Sequence, residues 1–261
     1  MKVSELYIHP LKSAAAVAVT KAAIDAFGFE HDRRWMLVDE KGEFLSQRQF
    51  PRMCLINAAV QATGLRITRP GAEPIDVLAN KHAVTRVKVW GDVCQAHDCG
   101  DRAANYFSEF LQTPCRLVFF PDDEVRQVDL NFAKKGDITG FSDGFPLLVI
   151  TQASLDDLNS RLRQPVAMSR FRPNIVISGS DSFAEDSWEC IRVGGITLRV
   201  VKPCSRCSIP SVDPVTAKRS AEPVKTLRTY RMQDSKVYFG QNVIADSTGC
   251  LQVGMDVEIV K

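Results

Sequence analysis

The chain has 261 residues, with 33 Lys and Arg against 31 Asp and Glu and a net charge of +2. That length suits one large domain or two small ones, and the mixed charge forms no basic stripe, which makes nucleic acid a poor partner. Hydrophobic residues reach 45%, yet the longest clean apolar run is FPLLVI at 145–150, far short of the roughly 20 residues a membrane span needs.

The N-terminal MKVSELYIHPLKS carries Glu5 and Lys12 and breaks at Pro10, so it lacks the uninterrupted apolar stretch of a secretion signal. A cytoplasmic protein without membrane association is expected. Its eight cysteines are then reduced thiols, buried as small apolar side chains or used as ligands.

Short strands dominate the next hundred residues. Residues 33–48 read as two strand-like runs around Lys41-Gly42, residues 54–69 as two around Thr63-Gly64, and residues 85–98 as two around Gly91-Asp92. In 101–112, Ala103, Phe107, Phe110 and Leu111 share one helical face, with Asp101 placed to cap. The charged stretch PDDEVRQVDLNFAKKGD, 121–137, reads as a seam, dividing the chain into 1–120 and 121–261. In 154–162, Leu155, Leu158 and Leu162 align on a second helix, with Ser154 and Asp157 spaced as a capping box. Residues 190–201 turn at Gly194-Gly195, and 253–260 alternates Val253, Met255, Val257 and Ile259 with polar or small residues as a last strand. Many hairpins with few helices predict a mostly β protein built on barrels.

The chemistry centres on VVKPCSRCSIPSVDP, 200–214, where Cys204 and Cys207 lie three positions apart. Structural zinc would need a second pair, drawn from Cys94, His97 and Cys99, and a lone CxxC is a weak signal for it. A thioredoxin-like couple would open a helix, which Pro210 and Pro214 discourage. A buried structural cysteine is the ordinary alternative, and a single metal-bound thiolate is the third reading. The loop setting favours function, with Lys202, Arg206 and Asp213 nearby and Arg206 placed to favour an ionised Cys207. Lys12 and Ser13, Arg33 and Arg34, and Arg170 and Arg172 all stand beside strand-like runs, as surface ion pairs or as a phosphate-binding rim. His9, His31, His82 and His97 are scattered without a triad, and no P-loop or G-x-G-x-x-G occurs.

Eight segments in order now point to one family. They are YIHPLKS, DRRWMLVDEKGEFLSQRQFPRM, FSDGFPLLVITQASLDDLNSRL, FRPNIVISG, AEDSWECIRVGG, KPCSRCSIPSVDP, EPVKTLRTYR and FGQNVIA. With these the chain resembles the MOSC proteins, in the branch that holds the mitochondrial amidoxime-reducing components and their bacterial relatives. The resemblance implies a MOSC β-barrel preceded by an N-terminal β-barrel-like domain, with a molybdenum–molybdopterin cofactor between them. It implies Cys207 as the molybdenum ligand and Cys204 as a bystander. Lys12, Ser13, Arg33, Arg172 and Asn174 match cofactor contacts, Ser205 and Arg206 flank the ligand, and Asp143 matches an acidic residue near the metal. Asn242, in FGQN, falls where some relatives carry another polar side chain, and Arg34 and Arg170 match less closely. Pyridoxal phosphate binding is a further family-level expectation.

The resemblance also implies an oxidoreductase that reduces N-hydroxylated compounds to amines or amidines. A non-enzymatic carrier of the cofactor or of sulfur on Cys207 is the alternative. No C-x4-C-x2-C cluster motif occurs, so electrons are expected from a separate ferredoxin-, flavodoxin- or cytochrome-type protein. Ala14-Ala15-Ala16, Ser208 and Phe145 depart from the family pattern.

Overall fold

Short alternating runs punctuated by glycine give a mostly β structure, as the sequence leads one to expect. A computed structural model describes residues 1–79 and 83–260; His82 lies outside them. Among the described residues there are three α-helices, and no helix is long and apolar enough to cross a membrane.

The largest sheet has nine strands. Eight run in the order Val257–Ile259, Cys190–Val193, Ile196–Ser205, Lys236–Ala245, Leu147–Thr151, Ile175–Ser178, Lys2–Ile8 and Val17–Val19, and Met232–Gln233 pairs with Lys236–Ala245. Leu147–Thr151 and Ile175–Ser178 run parallel, joined by a crossover that carries the helix Gln152–Arg161. The chain's first strand therefore sits among strands from its second half. Gly249–Gln252 returns the exchange by pairing with Lys21–Asp25. This interleaving fixes Lys12 and Ser13, just past the first strand, against elements more than a hundred residues away.

Three hairpins form where glycine marks them: Asn57–Gln61 with Gly64–Thr68, Val84–Val89 with Asp92–Asp98, and Cys190–Val193 with Ile196–Ser205. The segment 33–48 makes a strand only at Trp35–Val38; its return is a single bridge from Val38 to Phe44. The last strand is also shorter than expected. It spans Val257–Ile259 and starts no earlier because its partner Cys190–Val193 ends opposite Val257; Val253 and Ile259 are exposed.

Both helices occur, with different caps. In Asp101–Leu111 the apolar face of Ala103, Phe107, Phe110 and Leu111 is buried. Gly100 is its N-cap without a side-chain bond, and Asp101 instead pairs with Arg116. In Gln152–Arg161 the cap is Thr151, whose hydroxyl accepts from the Ser154 amide. Asp157 pairs with Arg161 one turn on, and Ser154 donates to the buried Glu185.

The apolar cores follow the sheets. One gathers Leu11, Trp35, Met53, Phe107 and Phe110; another gathers Val3, Leu6, Phe29, Val149, Ile191 and Val243. Each such side chain contributes about 1.5–3 kcal/mol on burial. The charged seam is partly an inward structure: Arg126 is buried and donates to Gly140 O at 2.9 Å and Ser142 O at 2.6 Å while pairing with Asp92. A buried cation there fixes the loop that carries Asp143.

Gly240 lies in Lys236–Ala245 with φ +80, and a Cβ there would come within 2.6 Å of Ile150 Cγ1 and 2.8 Å of Val149 O. Gly240→Ala therefore combines left-handed strain with overpacking and should cost about 3 kcal/mol. Gly71→Ala, with φ +78 but open space, should cost about 1 kcal/mol from strain alone. Urea unfolding midpoints of the two variants test the difference.

Candidate active site

All ten residues singled out as cofactor, metal or catalytic positions line one cavity of about 130 Å³: Lys12, Ser13, Arg33, Asp143, Arg172, Asn174, Ser205, Arg206, Cys207 and Asn242. Asp143, Ser205, Arg206 and Cys207 also line an outer chamber of about 760 Å³. Cys207 thus stands at the junction of a small inner space and a wide outer one.

Three of the inner residues hold unusual backbone. Ser13, Arg33 and Arg172 have φ of 65, 48 and 56, a left-handed conformation that costs energy for residues with a Cβ. Each is held there by long-range hydrogen bonds. Gln47 donates to Ser13 O at 2.8 Å, the Arg33 amide donates to His9 O at 2.9 Å, and the Phe141 amide donates to Arg33 O at 2.8 Å. Arg172 caps the short helix Met168–Phe171, and its guanidinium donates to Ala14 O.

The charges do not balance. Lys12 is buried, donates to Phe141 O at 2.7 Å and pairs with Asp143. Arg33 pairs with the buried Asp32 and donates to Asn174 Oδ1 at 2.9 Å. Among the described residues, Arg172 and Arg206 have no ion pair. Four cations meet two carboxylates, an excess of two positive charges around the inner cavity. Arg206 Nε is buried without any hydrogen-bond partner. Burial, reinforced by the Arg33 charge, presses the Arg172 guanidinium below its ordinary range. Partly desolvated cations of this kind are costly unless an anion joins them, and paired guanidinium forks fit phosphate oxygens. The cavity therefore fits an anionic, phosphate-bearing group with polar edges.

The Lys12–Asp143 pair sits at the mouth. Burial pushes the Lys12 ammonium down to about 8, against the pull of Asp143. Partial desolvation opposes ionisation of Asp143, but the Lys12 charge and hydrogen bond, joined by Trp90 Nε1 at 3.2 Å, hold its carboxyl below the usual range. Asp143 is thus a carboxylate at neutral pH. Lys12, the lysine of the inner cavity, is tied to Asp143 and Phe141, so that cavity offers no free lysine for an imine, and pyridoxal phosphate finds no support in it.

Both cysteines line the inner cavity, but they have different partners. Arg206, just past the strand's end at Ser205, donates to Cys204 Sγ at 2.9 Å and to Phe171 O. The expectation that Arg206 serves Cys207 is corrected accordingly. Cys207 is exposed, and its sulfur accepts from the Ile209 amide at 3.5 Å with Arg48 Nη1 at 3.8 Å. Lys202 and Asp213 do not face the pair either. Lys202 lies over the Phe132 ring at 3.9 Å, and Asp213 pairs with Arg170. The strand Ile196–Ser205 breaks its register near Lys202 and again beside Pro203, which lacks an amide donor; the chain leaves the sheet there and delivers Cys207 to the cavity.

Other residues are engaged within the protein. Both polar atoms of the Asn174 side chain serve protein partners, Arg33 and the Leu148 amide on one side and Tyr7 O on the other. Asn242 donates to Lys202 O at 3.1 Å. Arg34 is buried against Phe120 O and Asp122, outside the cavity. Cys94 packs in an apolar core beside Val87, Val118 and Phe120, and no group of three or more His, Cys, Asp or Glu able to hold a metal occurs among the described residues. Two residues at the outer chamber escaped sequence reasoning, Arg48 and Trp90. Their only early signal is an aromatic at a tight-turn position, with Trp90 at φ 57.

Fold and site together define a β-rich protein built around a receptor for an anionic group, capped by an exposed thiol. Comparison with known families finds the MOSC N-terminal beta barrel domain over residues 1–114 and the MOSC domain over residues 137–258. The chain is similar to mitochondrial amidoxime-reducing component 1 of Homo sapiens, 37% identical over 99% of this chain and 82% of that protein. The Xenopus laevis component 1 is 36% identical over 97% and 80%. The Bos taurus component 2 is 33% identical over 97% and 81%. The chain belongs to the MOSC family.

The pH dependence of stability isolates Lys12. Its folded value of about 8 lies under its ordinary 10.5, so the unfolded chain binds the proton more tightly between these values. The penalty of a charged, buried Lys12 is complete below pH 8 and is relieved as pH rises through that window. For protein free of bound anion, the stability of wild type relative to Lys12→Met should rise from pH 8 to 10.5. Urea midpoints measured across that range check the sign.

Proposed function

We propose that this protein is a molybdenum-cofactor-dependent oxidoreductase that reduces N-hydroxylated compounds. The observation that carries the reading is the placement of Cys207 where the cation-walled inner cavity opens into the outer chamber. A thiolate is a soft ligand suited to such a metal. The names of the relatives, amidoxime-reducing components, supply the substrate class.

Lys12, Arg33, Arg172 and Arg206 would hold the cofactor's phosphate and pterin edges, and Asn174 keeps Arg33 aimed. Ser13 and Ser205 offer further polar contacts at the wall. Cys207 would ligate molybdenum, its sulfur steadied by the Ile209 amide and Arg48. The bound molybdenum–molybdopterin group supplies the two-electron chemistry that cleaves the N–O bond. The overall balance is an N-hydroxylated amidine plus two electrons and two protons, giving amidine and water. Asp143, held ionised by Lys12 and Trp90, accepts a hydrogen bond from the substrate's N–OH or N–H and orients it toward Cys207. The electrons come from a separate carrier protein.

Cys207 is exposed, which also suits a carrier that hands on cofactor or sulfur. Turnover of benzamidoxime with reduced viologen separates the two readings, because a pure carrier gives none. Cys207→Ser should lose about 100-fold or more in turnover, the scale of about 3 kcal/mol of lost transition-state stabilisation. Cys204→Ser, at a sulfur already engaged by Arg206, should keep most of its molybdenum and turnover. Full activity in Cys207→Ser protein loaded in a cofactor-producing host would refute the assignment.

A further inference from the structure

The outer chamber holds more charge than the proposed reaction uses. Its walls carry Arg48, Lys225, Arg228 and Lys236, beyond the residues shared with the inner cavity. None of these four has an ion pair among the described residues. Elsewhere on the surface some cations are paired, as Lys2 with Asp256, Arg66 with Asp76 and Lys88 with Glu43, and others are not; the chamber differs in gathering four without an ion pair on one concave wall. The chamber's lining includes one carboxylate, Asp143, and Lys12 already holds it. Glu222, near Lys225 in sequence, is turned to the Thr226 amide. For a chain of net charge +2 this is local concentration and not overall composition.

Arg48 is fixed in place. Its guanidinium lies over the Trp90 ring at 4.6 Å and the Phe44 ring at 5.6 Å, and reaches Cys207. Lys225 and Arg228 ride on the short helix Val224–Arg228, and Lys236 opens the strand Lys236–Ala245. The chamber is concave, and about 760 Å³ falls in the range of small-ligand sites. A neutral substrate would leave this charge unused, while a concave wall of unpaired cations focuses field on a small anion.

We infer that the outer chamber selects N-hydroxylated substrates bearing a second, anionic group such as a carboxylate, held by Lys225, Arg228 and Lys236 while the N–O group faces Cys207. This rests on the proposed reaction and adds the substrate class. Arg48 and Trp90 form the wall along which the body of the substrate lies. An acidic protein docking over the same cations is the competing occupant.

The test compares benzamidoxime with 4-carboxybenzamidoxime, both with reduced viologen as donor. The readout is the ratio of kcat/KM, carboxylated over neutral, so that each variant carries its own reference. Wild type should favour the carboxylated compound by about 10-fold, through KM, and the ratio should shrink as salt rises. Lys225→Glu/Arg228→Glu should reverse the preference, and Lys236→Gln should weaken it. Equal ratios in wild type and the charge-reversed protein would overturn the inference. So would an unaltered ratio accompanied by a raised KM for an acidic electron-carrier protein, which would assign the cations to docking. Calorimetric binding of the two compounds, which needs no turnover, keeps this test apart from the reaction itself. Tighter binding of the carboxylated compound, lost on charge reversal, would uphold the chamber's role even if neither compound is reduced; equal binding would overturn it.

Discussion

Positive charge without its own counter-ions, gathered around a small cavity, is the constraint on which the site depends. Among the described residues, Arg172 and Arg206 lack carboxylate partners, and Arg206 Nε lacks any partner. A fold does not keep such groups partly desolvated without compensation. The carbonyls of Ala14 and Phe171 accept from the two guanidiniums, and their remaining donors and net charge suit an anion from outside the chain. The residues nearest this charge are also those with left-handed backbone, Ser13, Arg33 and Arg172. Strain and uncompensated charge coincide, as they do where a site is organised for a ligand and not for its own stability.

The interleaved topology makes that organisation affordable. Lys12 follows a strand locked into the nine-stranded sheet, and Asp143 sits on a loop pinned by Arg126. Cys207 leaves the sheet where bulges and Pro203 end regular pairing. Three distant stretches of chain converge because strand pairing brings them together, and apolar cores on both sides hold them. The thiol itself stays accessible, with an amide and a guanidinium on its sulfur.

Much of this was legible in the sequence, where local rules govern. Gly64, Gly91 and Gly194-Gly195 marked hairpins because tight turns ask for glycine. The apolar stripe at Ala103, Phe107 and Phe110 marked a helix because helical spacing repeats every three to four residues. The ten site residues were legible through resemblance and not through spacing, since no local pattern joins Lys12 to Asp143 or Cys207. What stayed hidden was set by geometry beyond the neighbouring residue. The strand ends at Ser205, and past it Arg206 turns back to Cys204 while Arg48, far off in sequence, reaches Cys207. Thr151 and not Ser154 is the cap because the helix begins at Gln152, which puts Ser154 inside its first turn. Trp90 reaches Asp143 only because its hairpin folds over the mouth of the cavity.

Cys207 as the thiol that meets the metal is the central claim. Molybdenum X-ray absorption fine structure of the loaded protein reads it most directly, by counting sulfur neighbours in wild type and in a variant with oxygen in place of that sulfur. One sulfur fewer in the variant is the result this account predicts. An unchanged sulfur count would contradict it and leave the thiol a bystander at the cavity mouth.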